Sequence, residues 1–250
     1  MSVPGPFGTG PMILDYGMGR RSGDEDMELA ASRLAALARG GHAGIDISIP
    51  QQTAAFGRLD SRLAGYGQAR AALAERGYAS VIRPVGGHLA VYGPGDLVVH
   101  LWAPHPVSRL HIRERFELFG HGTARALRAL GIDARIGSVP GEYCSGEYSI
   151  NEAGTSKLAG TGQRITKHGY LFSAVVMVEE AGPARAALQE AYGLLGLEFS
   201  PASVGCVADS APGVTAEELG HLLAAELQHV LAPATGMLVS VPFHATGARR

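Results

Sequence analysis

The chain has 250 residues, a formal net charge of −2 at neutral pH and a hydrophobic fraction of 46%. This length is ample for a sizeable core in one large domain or two small ones, and the charge gives no broad basic surface for nucleic acid. No apolar run is long enough to span a membrane, so neither nucleic acid nor a membrane is expected as a partner.

Hydrophobic periodicity predicts helices and short strands in alternation. In chain order the predicted elements are a strand at residues 12–14, a helix at 24–38, a strand at 45–50, a helix at 64–76, strands at 78–83, 89–92 and 97–102, a helix at 112–130, a strand at 134–136, hairpin arms at 145–150 and 157–164, a strand at 170–178, and helices at 183–195 and 215–231. The short connections among the three consecutive strands predict antiparallel hairpins, and Thr215 with Glu218 predicts a capping box at the last helix.

This order of elements favours an α+β domain, with a mainly antiparallel mixed sheet and helices packed on one face. The segment at 170–178 is nearly all apolar, which is typical of a central strand that is buried on both sides. Val81, Val91, Val99 and Val175 are therefore expected to lie in one central sheet.

Lysine is rare in this chain, because only Lys157 and Lys167 stand among 21 lysine and arginine residues. Lys157 lies in a glycine-containing run at 156–164, and Cys144 lies 13 residues upstream. Lysine is a compact point charge suited to one carbonyl or phosphoryl oxygen, and a thiolate beside a cation is suited to acyl transfer. The alternative interpretation is a solvated surface lysine and an inert buried cysteine.

Glycines bracket the predicted strand at 89–92, with Gly86-Gly87 before it and Gly93 and Gly95 after it. Glycine allows a positive φ, and the exposed amides of such a turn can bind a carboxylate, a thioester or a phosphate. The alternative interpretation is that these glycines form two ordinary hairpin turns without a ligand. No Gly-Lys-Ser/Thr follows, and no G-x-G-x-x-G opens a helix, so the sequence has neither a P-loop nor a dinucleotide fingerprint.

Together these two segments resemble those of the superfamily of lipoate–protein ligases and octanoyltransferases, which shares a core with biotin–protein ligases. The matching features are Arg83 before the Gly86-Gly87 turn, and Lys157 in a Lys-x-x-Gly-x-x-Gln-Arg context. The segment Tyr-Cys-Ser-Gly-Glu-Tyr at 143–148 is similar to the cysteine-dependent octanoyl transferases. The resemblance implies a biotin/lipoate protein ligase-like catalytic core as a single domain at 24–232, flanked by segments at 1–23 and 233–250.

The resemblance implies transfer of an octanoyl or lipoyl group to the lysine of a lipoyl carrier domain through a thioester on Cys144. Lys157 is expected to hold the acyl carbonyl. The acceptor lysine must lose a proton before it attacks, and His88 and His168 are the candidate bases. The expected substrate-binding residues are Arg83, Gly86, Gly87, His88, Tyr92, Gly160 and Thr161.

The implied carrier is a glycine cleavage H-type protein or a 2-oxoacid dehydrogenase subunit, and the implied donor is an acyl carrier protein or another octanoyl donor. Transfer requires no cofactor. The first alternative is an ATP-dependent lipoate–protein ligase, which forms an acyl-adenylate in the same pocket and needs ATP and Mg²⁺. Residues 93–96 lack the His-Asp pair of adenylate-forming members, which favours transfer. The second alternative is a non-catalytic module that binds acyl groups or carrier domains.

A metal site is not expected, because no pair of histidines or cysteines has the compact C-x-x-C or H-x-x-x-H spacing of metal ligands. Cys144 and Cys206 make no disulfide framework. The first ten residues lack a basic segment followed by an apolar one, so no secretory signal is evident. A reducing, cytoplasmic location is therefore expected.

Overall fold

The computed structural model describes residues 5–8, 12–235 and 238–241, with side chains described as far as residue 231. The helices are α1 (Gly23–Ala36), α2 (Tyr66–Glu75), α3 (Ile112–Ala129), α4 (Gly182–Leu195) and α5 (Ala216–Thr235). The strands are β1 (Met12–Asp15), β2 (Arg20–Arg21), β3 (Ala43–Pro50), β4 (Thr53–Phe56), β5 (Ala79–Ile82), β6 (Ala90–Tyr92), β7 (Asp96–Pro104), β8 (Ala134–Ile136), β9 (Ile150–Glu152), β10 (Ser156–Thr166), β11 (Gly169–Met177) and β12 (Leu238–Val241). Within these residues, no helix is both long and apolar enough to cross a membrane.

The main sheet runs in the order β12-β1-β3-β7-β11-β10-β9-β8, and β2 pairs with the end of β3. The centre of the sheet, from β3 to β8, is antiparallel throughout, whereas β12, β1 and β3 are parallel. The predicted α+β class with a mainly antiparallel mixed sheet is thus confirmed. The sheet extends beyond residues 24–232, because β1 and β12 add strands at one edge.

Different layers cover the two faces of the main sheet. Residues of β7 identify them, because alternate side chains of a strand point to opposite faces. Val99 packs in the larger core with Phe119 of α3 and Leu223 of α5. Trp102 packs on the other side with Ala30 of α1. The helices α3 and α5 therefore cover one face, while α1 and a smaller sheet cover the opposite one.

The smaller sheet has three strands in the order β5-β4-β6, with β5 parallel and β6 antiparallel to β4. The prediction of one central sheet is wrong for Val81 and Val91, which lie in this smaller sheet, whereas Val99 and Val175 lie in the main one. The predicted hairpins are also wrong, because β4 lies between β5 and β6 and β7 belongs to the other sheet. Every residue of β4 is buried, so this strand shows no alternation that periodicity could detect.

Capping boxes fix the starts of two helices. The Ser22 amide donates to the Glu25 carboxylate, and the Glu25 amide donates to the Ser22 hydroxyl at the start of α1. Thr215 and Glu218 make the same pair of bonds before α5, as the sequence predicted.

Packing between the two sheets brings three distant segments together. Tyr92 of the smaller sheet contacts a cluster that includes Val98 of the main sheet. The Gly86-Gly87 turn lies between β5 and β6, Cys144 lies in the loop between β8 and β9, and Lys157 lies on β10. The candidate site is built where these segments meet.

Candidate active site

The backbone at Cys144 is strained and tightly held. Its φ of +42° lies in the left-handed region, which non-glycine residues rarely adopt. The Cys144 amide donates to the Tyr192 hydroxyl over 2.9 Å, and that hydroxyl donates to the Leu89 carbonyl over 2.9 Å. Tyr192 of α4 thereby joins the cysteine loop to the start of β6. Strain that the surroundings enforce in this way is typical of functional sites.

The thiol of Cys144 lies in a cationic environment. The Arg83 Nη2 group donates to Sγ over 3.1 Å. Burial alone raises the pKa of the thiol, but the charges of Arg83 and Lys157 and hydrogen bonds from Arg83 and the His88 amide outweigh it and lower the pKa below its ordinary value. The thiolate, which is the nucleophilic form, is therefore favoured.

Gly87 closes the turn against this thiol. Its φ is +101°, and a β-carbon at this position would lie 2.6 Å from the Cys144 Sγ atom and 2.3 Å from Arg83 Nη2. Glycine is therefore required both for the backbone conformation and for the space. Gly86 has no atom within 4 Å of the corresponding position, so the two glycines are not equivalent.

Lys157 is almost completely buried, with 1% of its surface exposed. A register shift between Lys157 and Ala159 marks a β-bulge in β10, which re-aims the side chain. The ammonium donates to the carbonyl oxygens of Tyr143 and Cys144, both over 2.9 Å, and lies 3.1 Å from Glu142 Oε2. Two of its three N–H groups thus hold the cysteine loop, and the third faces the Glu142 carboxylate.

Arg83 is the cation that contacts the Cys144 thiol, whereas the sequence motifs suggested Lys157 for this role. Its Nη2 group also donates to the His88 carbonyl. Its Nε group is buried and has no hydrogen-bond partner among the residues that the structure describes. Arg83 therefore contacts the thiol through one guanidinium nitrogen and has a second, buried nitrogen without a hydrogen bond among the described residues. We call Arg83, Glu142, Cys144 and Lys157 the thiol cluster.

His88 pairs with Asp60, a contact that the sequence did not predict. Its Nδ1 atom lies 2.6 Å from Asp60 Oδ1, and the Gly57 amide donates to Asp60 Oδ2 over 2.8 Å. The Asp60 side chain is fully buried, while 42% of the His88 side chain is exposed. A carboxylate only accepts hydrogen bonds, so Nδ1 carries a proton, and in the neutral imidazole Nε2 is an acceptor.

His168 is not placed to act with this group. It lies in the exposed turn between β10 and β11, where its amide donates to the Thr166 hydroxyl. Thr166 is nine residues along β10 from Lys157, which corresponds to about 30 Å of extended strand. The expectation that His168 is a candidate base is therefore wrong on geometric grounds.

A cavity extends from Arg83 between the main sheet and the smaller sheet. Of the expected binding residues, Arg83, Tyr92, Gly160 and Thr161 line it. Its other lining residues are Asp26, Met27, Ala55, Pro84, Val85, Val98, His100, Gly162, Ser173, Ala174 and Val175. The expected residues Gly86, Gly87 and His88 instead line an outer groove, together with Arg58, Leu59, Pro84, Val85, Gln163 and Arg164.

Other residues of the segment around Lys157 line the cavity or the outer groove. A β-carbon on Gly160 would lie 3.3 Å from Lys157 Cε, so this glycine makes room for the lysine stem. The Thr161 hydroxyl donates to the Tyr148 carbonyl over 3.2 Å. Gln163 accepts from Arg115 of α3 over 2.8 Å, which ties β10 to the helix layer.

Comparisons with known proteins identify the family of the chain. The lipoyl protein ligase A/B catalytic domain family matches residues 51–227. An octanoyl-[GcvH]:protein N-octanoyltransferase of Anoxybacillus flavithermus is 28% identical over 138 residues, which cover 55% of this chain and 49% of the relative. The enzyme of the same name from Lysinibacillus sphaericus is 25% identical over 140 residues, covering 56% and 50%. The chain thus spans about half the length of these curated relatives.

Solved structures share the fold. A bi-partite lipoate protein ligase from Thermoplasma acidophilum superposes with a TM-score of 0.65 at 16% identity, covering 95% of this chain and 88% of that one. A lipoate-protein ligase A bound with ATP gives a TM-score of 0.61 at 18% identity, covering 95% and 90%. The chain belongs to the lipoyl protein ligase A/B catalytic domain family.

Proposed function

We propose that this chain transfers an octanoyl or lipoyl group to the lysine of a lipoyl carrier domain through a thioester on Cys144. The observation that carries the proposal is the contact between the Cys144 thiol and the Arg83 guanidinium, in a site where the pKa of the thiol is lowered. The curated relatives, whose name states octanoyl transfer from an H-type carrier protein, support the same chemistry.

In the first half of the reaction, the Cys144 thiolate attacks the acyl carbonyl of the donor. The carbonyl oxygen becomes negatively charged, and the Arg83 guanidinium, which contacts the thiol, is suited to stabilise it. The tetrahedral intermediate then collapses to the thioester and expels the donor's thiolate or amine. An amine leaves only when it gains a proton, which His88 can supply as a general acid.

In the second half, the acceptor lysine attacks the thioester and regenerates the Cys144 thiolate. The lysine is nucleophilic only when it is neutral, so its proton must pass to a base. His88 Nε2 is suited to this role, because Asp60 holds Nδ1 and stabilises the imidazolium that forms. The acceptor enters through the outer groove, whose wall includes His88, Arg58 and Arg164.

Lys157 acts mainly by positioning in this proposal. Its ammonium already serves the carbonyls of Tyr143 and Cys144 and the Glu142 carboxylate, so an acyl oxygen has to compete with these partners. Its charge still lowers the pKa of the Cys144 thiol. That Lys157 also binds the acyl carbonyl stays a prediction.

The sequence of the Gly93-Pro94-Gly95-Asp96 turn favours transfer over ATP-dependent ligation, because this turn lacks the His-Asp pair of adenylate-forming members. In this proposal no cofactor is needed, whereas a ligase would need ATP and Mg²⁺.

The test is intact-mass spectrometry of the protein after incubation with an octanoylated H-type carrier, and separately with octanoate, ATP and Mg²⁺. We expect one octanoyl adduct from the carrier donor, no adduct in Cys144→Ala, and an unchanged adduct in Cys206→Ala. Cys206 is a matched control, because it is the other free cysteine and its pKa is raised by burial. Full activity of Cys144→Ala that depends on ATP would establish the ligase instead.

If neither donor acylates the wild-type protein or a downstream carrier, the non-catalytic binding module becomes the better interpretation. The donor, either acyl carrier protein or an H-type protein, is identified by which one produces the adduct. The acceptor is identified by the same assay with a 2-oxoacid dehydrogenase subunit. Both cysteines are unpaired in the structure, which fits action in the reducing cytoplasm.

A further inference from the structure

Side chains of two different elements hold the backbone of Cys144. Its amide donates to the Tyr192 hydroxyl of α4 over 2.9 Å. Its carbonyl accepts from the Lys157 ammonium of β10, also over 2.9 Å. Tyr192 and Lys157 thus restrain the proposed nucleophile at both of its backbone polar groups.

This restraint matters because the Cys144 backbone is strained. A φ of +42° is unfavourable for a residue other than glycine, and such a conformation persists only when the surroundings enforce it. Rotation of φ to the ordinary negative range would turn the Cα–Cβ bond relative to the preceding peptide. The Sγ atom would then move relative to Arg83 Nη2, which now lies 3.1 Å away. The contact between the thiol and its cation therefore depends on the groups that keep φ positive.

The Tyr192 hydroxyl also holds the segment that faces the thiol. It donates to the Leu89 carbonyl over 2.9 Å. Leu89 follows His88, whose carbonyl accepts from Arg83 and whose amide contacts the Cys144 sulfur. One hydroxyl therefore connects the backbone of the nucleophile to the turn that supplies part of the thiol's surroundings.

The surroundings of Tyr192 keep its ring fixed and its hydroxyl neutral. The residue is 3% exposed, its ring packs edge-on against Phe199 at a centroid distance of 4.9 Å, and Phe199 packs in turn against Tyr143. Burial raises the pKa of the Tyr192 hydroxyl, so the group stays protonated. It can therefore donate to Leu89 while it accepts from Cys144. A phenylalanine at this position would keep the ring contacts and lose both hydrogen bonds.

We propose that Tyr192 is a positioning residue for acyl transfer, whose hydroxyl keeps the Cys144 backbone in the left-handed conformation that places the thiol against Arg83 and the His88 amide. Tyr192 acts through the Cys144 backbone and is not itself a catalytic residue. The part of the inference that concerns transfer rests on the proposed function. The part that concerns the thiol does not, because its reactivity can be measured without an acyl donor.

The substitution Tyr192→Phe tests the inference in a Cys206→Ala background, which leaves one thiol in the chain. A displaced Cys144 thiol loses part of its contact with Arg83, so its alkylation by iodoacetamide should shift to higher pH by about one unit. With an octanoylated H-type carrier as donor, kcat should fall by about 10²-fold while KM stays close to that of the parent protein, because a displacement of about 1 Å has this effect on rate. Lower stability with an unchanged alkylation profile and kcat would show a purely structural role and overturn the inference.

Tyr78→Phe in the same background is the matched control. Tyr78 is another buried tyrosine of the same core cluster, but its hydroxyl bonds to the Gln52 side chain rather than to Cys144. This variant should keep the alkylation profile and kcat of its parent. An equal shift in Tyr78→Phe and Tyr192→Phe would mean that a general loosening of the core causes the effect, which also overturns the inference.

A measurement on the wild-type protein covers the case in which Tyr192→Phe does not fold. The Cys144 amide, bonded to a buried hydroxyl, should exchange slowly with deuterium in NMR spectra, and exchange as fast as in an unfolded peptide overturns the inference. If the alkylation profile shifts in Tyr192→Phe but no donor acylates the wild type, the proposed function fails while the positioning of the thiol stands. If the wild type is acylated and Tyr192→Phe matches it in every measurement, the positioning role alone fails.

Discussion

The thiol cluster and a second buried network, which we call the floor cluster, both bury charged groups, but they are built differently. The floor cluster consists of Arg21, Asp26, Asp46, His100 and Ser173. Three residues of the thiol cluster lie in loops, Cys144 among them with its strained backbone, and Lys157 lies at a bulge in β10. The floor cluster lies on β2, α1, β3, β7 and β11, where the backbone is regular and the charged groups pair with one another. The strained backbone thus lies at the proposed nucleophile, whereas the regular elements hold a network of paired charges.

The clusters also differ in what each leaves unpaired. Among the described residues, the thiol cluster leaves a donor, Arg83 Nε, and an acceptor, Glu142 Oε2, without a hydrogen bond, although Lys157 Nζ lies 3.1 Å from the Glu142 oxygen. The floor cluster leaves one acceptor, Asp26 Oδ1, without a hydrogen bond. Variants that remove a charge from the thiol cluster should therefore affect stability and reaction rate together.

The largest effect is expected for Lys157→Met. It leaves the fully buried Glu142 carboxylate without its cation and frees two carbonyls, which should lower the free energy of unfolding by about 3–5 kcal/mol. Urea denaturation followed by circular dichroism measures the change. Lys167→Met is the matched control, because the other lysine of the chain is exposed and should lose almost nothing.

Equal losses in the two lysine variants would show that the Lys157 ion pair contributes no stability. The double variant Lys157→Met/Glu142→Gln sharpens the result. It removes the uncompensated charge, so it should recover part of the loss caused by Lys157→Met alone.

The next largest effect is expected for Arg83→Met. Loss of the guanidinium removes the strongest influence that lowers the pKa of the Cys144 thiol, so the pKa should rise. Alkylation of Cys144 by iodoacetamide as a function of pH should shift to higher pH. Transfer should fall by roughly 10²–10³-fold if Arg83 also stabilises the oxyanion.

Arg76→Met is the control for Arg83, because Arg76 makes an exposed ion pair with Glu190 and is not among the charges that lower the pKa of the thiol. It should leave the alkylation profile unchanged. An Arg83→Met protein with the wild-type profile would mean that Lys157 alone sets the ionisation of the thiol.

Site residues that stand in a sequence motif could be predicted, whereas residues that meet only in the folded chain could not. Cys144, Lys157 and Gly87 stand in motifs, so their neighbourhood could be predicted from the resemblance. Asp60 could not, because it lies in a short 3₁₀ turn with no motif and meets His88 only after the smaller sheet forms. Glu142 stands two residues before Cys144, so a search of the cysteine segment for buried carboxylates could have found it.

The fold also has parts that the sequence predicts well and parts that it does not. Helices with strong periodicity were predicted close to their observed bounds, and so was the capping box of Thr215 and Glu218. The pairing of strands was not, because β4 is short and uniformly buried and its partners are chosen by contacts distant in sequence. The floor cluster was missed for a related reason, since Asp26 and His100 meet only across the helix–sheet packing.

A more selective effect is expected for His88→Gln. The thioester on Cys144 should still form from a thioester donor, but its transfer to the acceptor lysine should slow by about 10²-fold, because the base is lost. Stopped reactions analysed by intact mass should show the acyl-enzyme accumulating. Asp60→Asn should give a weaker form of the same defect, and His168→Gln should behave as wild type.

If His88→Gln slows formation and breakdown of the thioester equally, the imidazole is positioning the Gly87 turn rather than moving a proton. Glutamine keeps the backbone amide that contacts the thiol. The comparison therefore separates the side chain's chemistry from the turn's geometry.

The smallest effect, and the sharpest pairwise comparison, concerns the two glycines of the turn. Gly87→Ala places a β-carbon 2.6 Å from the Cys144 sulfur and forces alanine to a φ of +101°, which should cost about 1–3 kcal/mol of stability. Gly86→Ala meets no atom within 4 Å and needs no positive φ, so its stability and alkylation profile should match the wild type. Thermal unfolding and iodoacetamide reactivity of both variants test this. Equal behaviour of the two alanines would show that the turn relaxes freely, and that the close approach of Gly87 to Cys144 does not define the thiol's surroundings.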